Sequence, residues 1–145
     1  MVLPAVQVLL STYNGCRYLP ELLESILAQS GVDTRLLVRD DGSTDGTPEL
    51  LRQYADVGAL DMSIGPNIGV TRSFLWLLGN ASADCDFVAF ADQDDVWLTE
   101  KLARATTALA RVADGVPAMY CSALTLVDSG LRPIGTWCAA QRAPS

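Results

Sequence analysis

Short apolar runs alternate along this chain with segments of helical period, and that alternation restricts the fold more than any single motif. Val6 to Leu10 is apolar except for Gln7, which suits a strand covered on both faces. Leu19, Leu22, Leu23, Ile26 and Leu27 repeat at helical spacing and predict an amphipathic helix over about Tyr18 to Gln29. Leu36 to Val38 is a second strand and runs straight into Asp40 and Asp41. Thr47-Pro48-Glu49 reads as a helix start, a capping hydroxyl with proline at the first helical position. Leu50, Leu51 and Tyr54 form the inner stripe of that helix. A weaker strand, Leu60 to Ile64, ends at Gly65-Pro66-Asn67, and a helix from about Val70 to Leu78 carries Phe74, Leu75 and Leu78. Phe87 to Ala91 is the next buried strand. Thr99 is placed to cap a helix with Leu102, Ala105, Leu109 and Val112 inside, and Met119 to Val127 reads as a fifth strand. The order β-α-β-α-β-α-β-α-β predicts an α/β fold, a mostly parallel sheet with helices on both faces.

The chain has 145 residues, of which 50% are hydrophobic and 19% charged, enough for one domain with its own core. The expected division is one domain over 1–128 and a partly ordered tail over 129–145, with Ala139 to Ser145 frayed. Ten basic residues against seventeen acidic ones give a net charge of −7, which excludes a sequence-independent nucleic-acid binder. Histidine is absent from the sequence, so His-based triads, His general bases and His-ligated zinc are excluded. Cys16, Cys85, Cys121 and Cys138 contain no CxxC pair and read as buried small hydrophobes in a reducing compartment. Met-Val-Leu-Pro-Ala-Val has neither a basic start nor a long apolar run, and no stretch approaches the ~20 residues of a membrane span. The expectation is a cytoplasmic protein without a transmembrane segment.

In an open parallel sheet, ligands bind beyond the carboxyl ends of the strands. There the chain places Ser11-Thr12-Tyr13-Asn14-Gly15, Asp40-Asp41-Gly42-Ser43 and Asp92-Gln93-Asp94-Asp95. The first also reads as a plain strand-to-helix connection, and Asp-Gly-Ser-Thr-Asp-Gly as an ordinary surface turn. The acidic cluster directly after Phe87-Val88-Ala89-Phe90-Ala91 is harder to explain as a turn. Five carboxylates on one rim repel each other, and a divalent cation with oxygen ligands relieves that repulsion. Mg²⁺ usually takes one or two protein carboxylates plus substrate phosphates, so the rim suits a metal-bound diphosphate. Neither a GxxxxGK[ST] loop nor a GxGxxG after the first strand is present. A phosphoaspartyl enzyme needs an aspartate where Ser11 to Asn14 stand. Trp97 reads as a core or rim packing residue.

The same segments, with Tyr18-Leu19-Pro20-Glu21, Ser25-Ile26-Leu27-Ala28-Gln29, Asp40 to Thr47, Asn67-Ile68-Gly69, and Asp92 to Trp97 with Lys101-Leu102, resemble family 2 glycosyltransferases. The match runs in order from about Val6 to Asp128. Asp-Gln-Asp-Asp-Val-Trp looks most like the bacterial rhamnosyltransferase-type members. The resemblance implies a GT-A fold, a Rossmann-like α/β domain that binds a nucleotide-diphospho-sugar. It places Ser11 and Tyr13 in the nucleobase pocket, Tyr13 packing on the base, with Thr12 among the nucleotide-sugar-binding residues. Asp41 would accept a hydrogen bond from the base's imide nitrogen, which suits uracil or thymine. Asp92 and Asp94 form the family's DxD motif, Asp92 toward ribose or sugar and Asp94 toward the metal, with Gln93 also in the donor site. Arg72 falls near a basic residue by the donor, and Asp95 either supports a metal ligand or caps a helix.

The implied activity is inverting, metal-dependent transfer from a UDP- or dTDP-sugar, with rhamnose a candidate, in building cell-surface polysaccharide. Mg²⁺ or Mn²⁺ is the implied cofactor, and a saccharide or lipid-linked saccharide the acceptor, the latter suiting a peripheral place at the inner membrane face. Relatives carry a further segment with the acceptor site and catalytic base, and this sequence stops soon after its fifth strand. The expectation is therefore a fragment or truncated product without its own general base. The alternative is a catalytically silent remnant that binds a nucleotide or partner chain, with apolar surface left uncovered.

Overall fold

The structure, a computed structural model, describes residues 2–138, so the frayed tail expected over Ala139 to Ser145 lies outside the described residues. The chain divides into two compact units, Met1–Thr106 and Thr107–Ser145. Along it run β1 (Ala5–Thr12), α1 (Leu19–Leu27), β2 (Asp33–Asp40), α2 (Thr47–Asp56), β3 (Asp61–Ile64), α3 (Val70–Gly79), β4 (Phe87–Ala91), α4 (Lys101–Leu109), β5 (Leu124–Val127) and β6 (Pro133–Trp137).

The first unit is built on a four-stranded sheet in the order β3-β2-β1-β4. All its pairings are parallel, with Val8 opposite Leu36 on one side and Ala89 on the other. The chain steps outward from β1 to β2 to β3 and then returns to the other flank of β1 with β4. The strand order therefore reverses between β1 and β4, and their carboxyl ends frame the crevice where such sheets bind ligands.

Alternation along β1 explains the two helical layers. Val6, Val8 and Leu10 join a core cluster with Leu19, Leu22, Leu23 and Ile26 of α1, Leu51 of α2 and Leu102 of α4. Ser11 points to the other face, where its hydroxyl bonds Ser73 of α3 at 2.6 Å. Leu9 of β1 and Leu77 of α3 are fully buried as well. Each such leucine contributes about 1.5–3 kcal/mol on leaving water. The α/β architecture with a parallel sheet and helices on both faces is as the sequence predicts.

Several details differ from expectation. β2 starts at Asp33, because parallel pairing with β1 already begins at Ala5 opposite Asp33 and does not require apolar side chains there. Thr47 does not cap α2. Gly46 is the cap residue, the Thr47 hydroxyl accepts the Gly15 amide at 3.0 Å, and Asp45 accepts the Thr47 amide at 2.9 Å. α3 buries Ser73 and Leu77 and leaves Leu75 and Leu78 exposed. α4 buries Leu102 and Thr106, and Val112 is exposed beyond its end. None of the four cysteines is buried. Cys16 and Cys85 are half-buried and Cys121 and Cys138 exposed, all as free thiols. The last two lie in the second unit, where no residue of β5 or β6 is buried.

The fifth strand does not extend the parallel sheet. β5 pairs antiparallel with β6 in a two-stranded sheet of its own. The reason is local: Asp128 accepts the amides of Gly130 at 2.9 Å and Arg132 at 3.0 Å, and this turn folds the chain back on itself. No helix among the described residues is long and apolar enough to cross a membrane.

Candidate functional site

The residues at the end of β1 and just beyond it are fixed by partners from neighbouring loops and from the start of α2. Thr12 donates to Gln93 Oε1 at 2.8 Å, and the Tyr13 amide donates to the same oxygen at 2.9 Å. Gln93 Nε2 returns a bond to the Tyr13 carbonyl at 3.3 Å. Gln93 thus clasps the backbone that presents the Tyr13 ring, which stays half-open to solvent at 46%. Asn14 adopts the left-handed conformation, φ 51°, which its short polar side chain tolerates. It bonds Ser43 through its amide at 2.8 Å and accepts the Thr44 amide at 2.9 Å, tying the β1 loop to the β2 loop. Gly15 has no room for a side chain: a Cβ there would lie 2.6 Å from both Gln93 Oε1 and Thr12 Oγ1.

The two aspartates at the end of β2 do different work. Asp40 is fully buried and takes both the amide and the hydroxyl of Ser43, so it builds the turn. Gly42 completes that turn at φ +82°, and a Cβ there would lie 2.9 Å from the Asn67 amide nitrogen. Asp41 is 3% exposed, pairs with Arg39, and accepts the amides of Ile68 and Gly69 at 2.9 Å each. Burial works to raise its pKa, yet those two amides and the Arg39 guanidinium outweigh burial and hold it below the usual carboxylate range. The rim is therefore not a ring of five free carboxylates, since two are already satisfied.

At the end of β4 the balance is opposite. Asp92 and Asp94 form no ion pair among the described residues. Burial, reinforced by repulsion from Asp92 and then Asp94 and opposed by Lys101, pushes Asp95 above the usual carboxylate range. No group of three His, Cys, Asp or Glu side chains among the described residues is arranged to hold a metal ion. Asp92 and Asp94 are oxygen donors of the kind a hard cation takes one or two at a time, the rest of its shell coming from water or ligand oxygens.

The three loops surround one cavity of about 390 Å³, lined by Ser11, Thr12, Tyr13, Asp41, Asp92, Gln93 and Asp94 together with Asn67, Gly69, Val70 and Phe74. Its size falls in the ~300–1,000 Å³ range of small-molecule clefts. Every site residue expected from the sequence is brought together there except Arg72, which is exposed on the first turn of α3 and does not line it. Asp95 also stands outside the lining. Phe74 was legible only as a helix residue. It meets the Phe90 ring edge-on at 5.5 Å and lines the cavity with Val70. Arg39, with its partner Ser73, was also missed. Its signal is a charge directly after the apolar run Leu36-Leu37-Val38, which demands a buried partner.

The model of "Glycosyl transferase family 2" matches residues 7–120. The chain belongs to this family. Among curated relatives, an uncharacterised glycosyltransferase of Nostoc sp. is 36% identical over 101 residues, 68% of this chain and 31% of that protein. The dTDP-rhamnosyl transferase RfbG of Shigella flexneri is 30% identical over 105 residues, 69% of this chain and 36% of RfbG. This family 2 chain thus spans about a third of the length of the curated relatives it matches. Among solved structures, the mannosyltransferase PcManGT of Pyrobaculum calidifontis, in complex with GDP-Man and Mn²⁺, superposes with a TM-score of 0.65 at 28% identity, over 76% of this chain and 33% of that one. TarS of S. aureus in complex with UDP-GlcNAc gives 0.65 at 25% identity, over 85% and 40%. The family 2 chain therefore shares its fold with GT-A transferases.

Proposed function

We propose that this chain is the donor-binding part of an inverting, metal-dependent glycosyltransferase that takes a UDP- or dTDP-sugar and serves cell-surface polysaccharide synthesis. The observation that carries the reading is the convergence of Tyr13, Asp41, Asp92 and Asp94 on one cavity at the strand-order reversal. The Tyr13 ring stacks on the base, and Asp41 accepts its ring N–H. Ser11 and Thr12 border the base and ribose. Asp92 and Asp94 hold Mg²⁺ or Mn²⁺, which when bound stabilises charge on the departing diphosphate. Gln93 acts through Tyr13, holding the stacking residue in register with the two aspartates on either side of it in sequence. Arg72 is given no donor contact, and no cavity residue is assigned as general base.

Three likenesses support this reading. RfbG is named for a dTDP-rhamnosyl donor, and the two solved relatives hold nucleotide sugars, one of them with Mn²⁺. A dTDP-sugar carrying rhamnose, a saccharide or lipid-linked acceptor, and work at the inner membrane face are the forms we favour. Calorimetric titration of the 145-residue chain with UDP and dTDP, with and without Mn²⁺ or Mg²⁺, tests the proposal. Binding that requires the metal is expected. Undetectable binding under every condition would refute it.

A further inference from the structure

Arg39 is 3% exposed within a parallel sheet, a place where an aliphatic residue would satisfy the strand equally well. An isolated charge there is costly, so each of its contacts matters. Nη1 pairs with Asp41 Oδ1 and donates to Ser73 Oγ at 3.2 Å. Nη2 donates to the Pro66 carbonyl at 3.0 Å, and the guanidinium carbon lies 5.8 Å from the centre of the Trp76 ring. Gly65 leaves the space this requires: a Cβ there would come within 2.8 Å of Nη2. Arg39 therefore fastens β2 to α3 and to the loop that supplies the Ile68 and Gly69 amides.

An ionised carboxylate has about four lone-pair directions. On Asp41, Oδ1 receives Arg39 and Ile68, and Oδ2 receives Gly69. One direction of Oδ2 is left, on a residue that lines the cavity. We propose that Arg39 is a positioning residue for base selection: it holds Asp41 oriented with a single acceptor direction toward the cavity, so that the site prefers a base bearing a ring N–H over one with a bare ring nitrogen. Uracil, thymine and guanine belong to the first group, cytosine and adenine to the second. The nucleotides held by the two solved relatives, UDP and GDP derivatives, both carry such an N–H. This inference rests on the donor-site reading above. A carboxylate accepts the uracil N–H but repels the cytosine lone pair. Once the guanidinium is lost, Asp41 keeps only the Ile68 and Gly69 amides, its carboxylate is free to turn, and the single acceptor direction that tells the two bases apart is no longer fixed.

The test is calorimetric titration of the 145-residue chain with UDP and with CDP, both with Mn²⁺, for wild type, Arg39→Met, Arg39→Gln and Arg39→Lys. Wild type is expected to favour UDP by at least about tenfold, the scale of a hydrogen bond to a charged group. That preference should collapse in the Met and Gln variants and survive in the Lys variant. Arg39→Gln keeps a polar contact and decides the matter if the Met variant fails to fold by circular dichroism. If UDP and CDP weaken by the same factor in the neutral variants, Arg39 is only structural and the proposal is overturned. Equal binding of the two by wild type overturns it too and leaves the donor site standing. Binding of neither nucleotide by wild type refutes the donor reading itself.

Discussion

Asp94→Ala is expected to bind UDP with the same affinity in the presence and absence of Mn²⁺, where the wild-type chain is expected to bind tightly only with the ion. Asp92 and Asp94 are the cavity carboxylates without an ion-pair partner among the described residues, while Asp40 and Asp41 are committed to Ser43 and Arg39. A cation bridging the rim to a diphosphate has few other protein oxygens to use, and losing one of two leaves it mostly to solvent. Asp94 is exposed and forms no ion pair among the described residues, so thermal stability of the variant should match that of wild type. Calorimetry with and without the ion, beside a melting curve, reads both. A retained metal-dependent affinity would refute the ligand assignment.

Asp41→Ala should have the largest effect on stability. It strands a guanidinium inside the sheet and frees the Ile68 and Gly69 amides, and breaking a buried pair from one side costs about 3–5 kcal/mol. Replacing both partners, Asp41→Ala with Arg39→Met, removes the uncompensated charge and should recover part of that loss. The pH dependence has a fixed sign. The folded-state pKa of Asp41 is depressed, so its contribution is complete above the ordinary carboxylate range and is lost as pH falls through the depressed value. Urea unfolding of the wild type, both single variants and the double variant checks the set. A loss below about 1 kcal/mol for Asp41→Ala would show that the pair is not the buried clamp described, since one-sided removal of such a pair is costly.

The sheet was largely readable because β1 and β4 are nearly unbroken apolar runs, and the segments after them carry turn chemistry. Phe87 to Ala91 matches its strand at both ends. β5 shows the limit of that reading. Apolar alternation marks a strand but does not name its partner, and the turn at Asp128 gave Leu124–Val127 a local partner in Pro133–Trp137. The site was legible wherever polar residues end a strand, as at Ser11 to Tyr13 and Asp92 to Asp94. The separate fates of Asp40 and Asp41 were not legible. Asp40 is the last residue of β2 and turns to Ser43, while Asp41 lies just past the strand end and meets Arg39 and the cavity, a split that depends on where the strand stops. Arg39, Ser73 and Phe74 escaped notice because their roles exist only once α3 packs on β1 and β2.

The central claim is that the loops after β1 and β4 meet around one cation and the pyrophosphate it holds. Amide NMR spectra of the UDP-saturated chain, recorded while substoichiometric Mn²⁺ is added, test it most directly, because the paramagnetic ion erases signals near it. Loss confined first to Asp92 to Asp94 and Ser11 to Tyr13, with β3 residues Asp61–Ile64 at the far edge of the sheet unaffected, is the expected result. Broadening centred elsewhere, or spread evenly over the acidic surface, would contradict it.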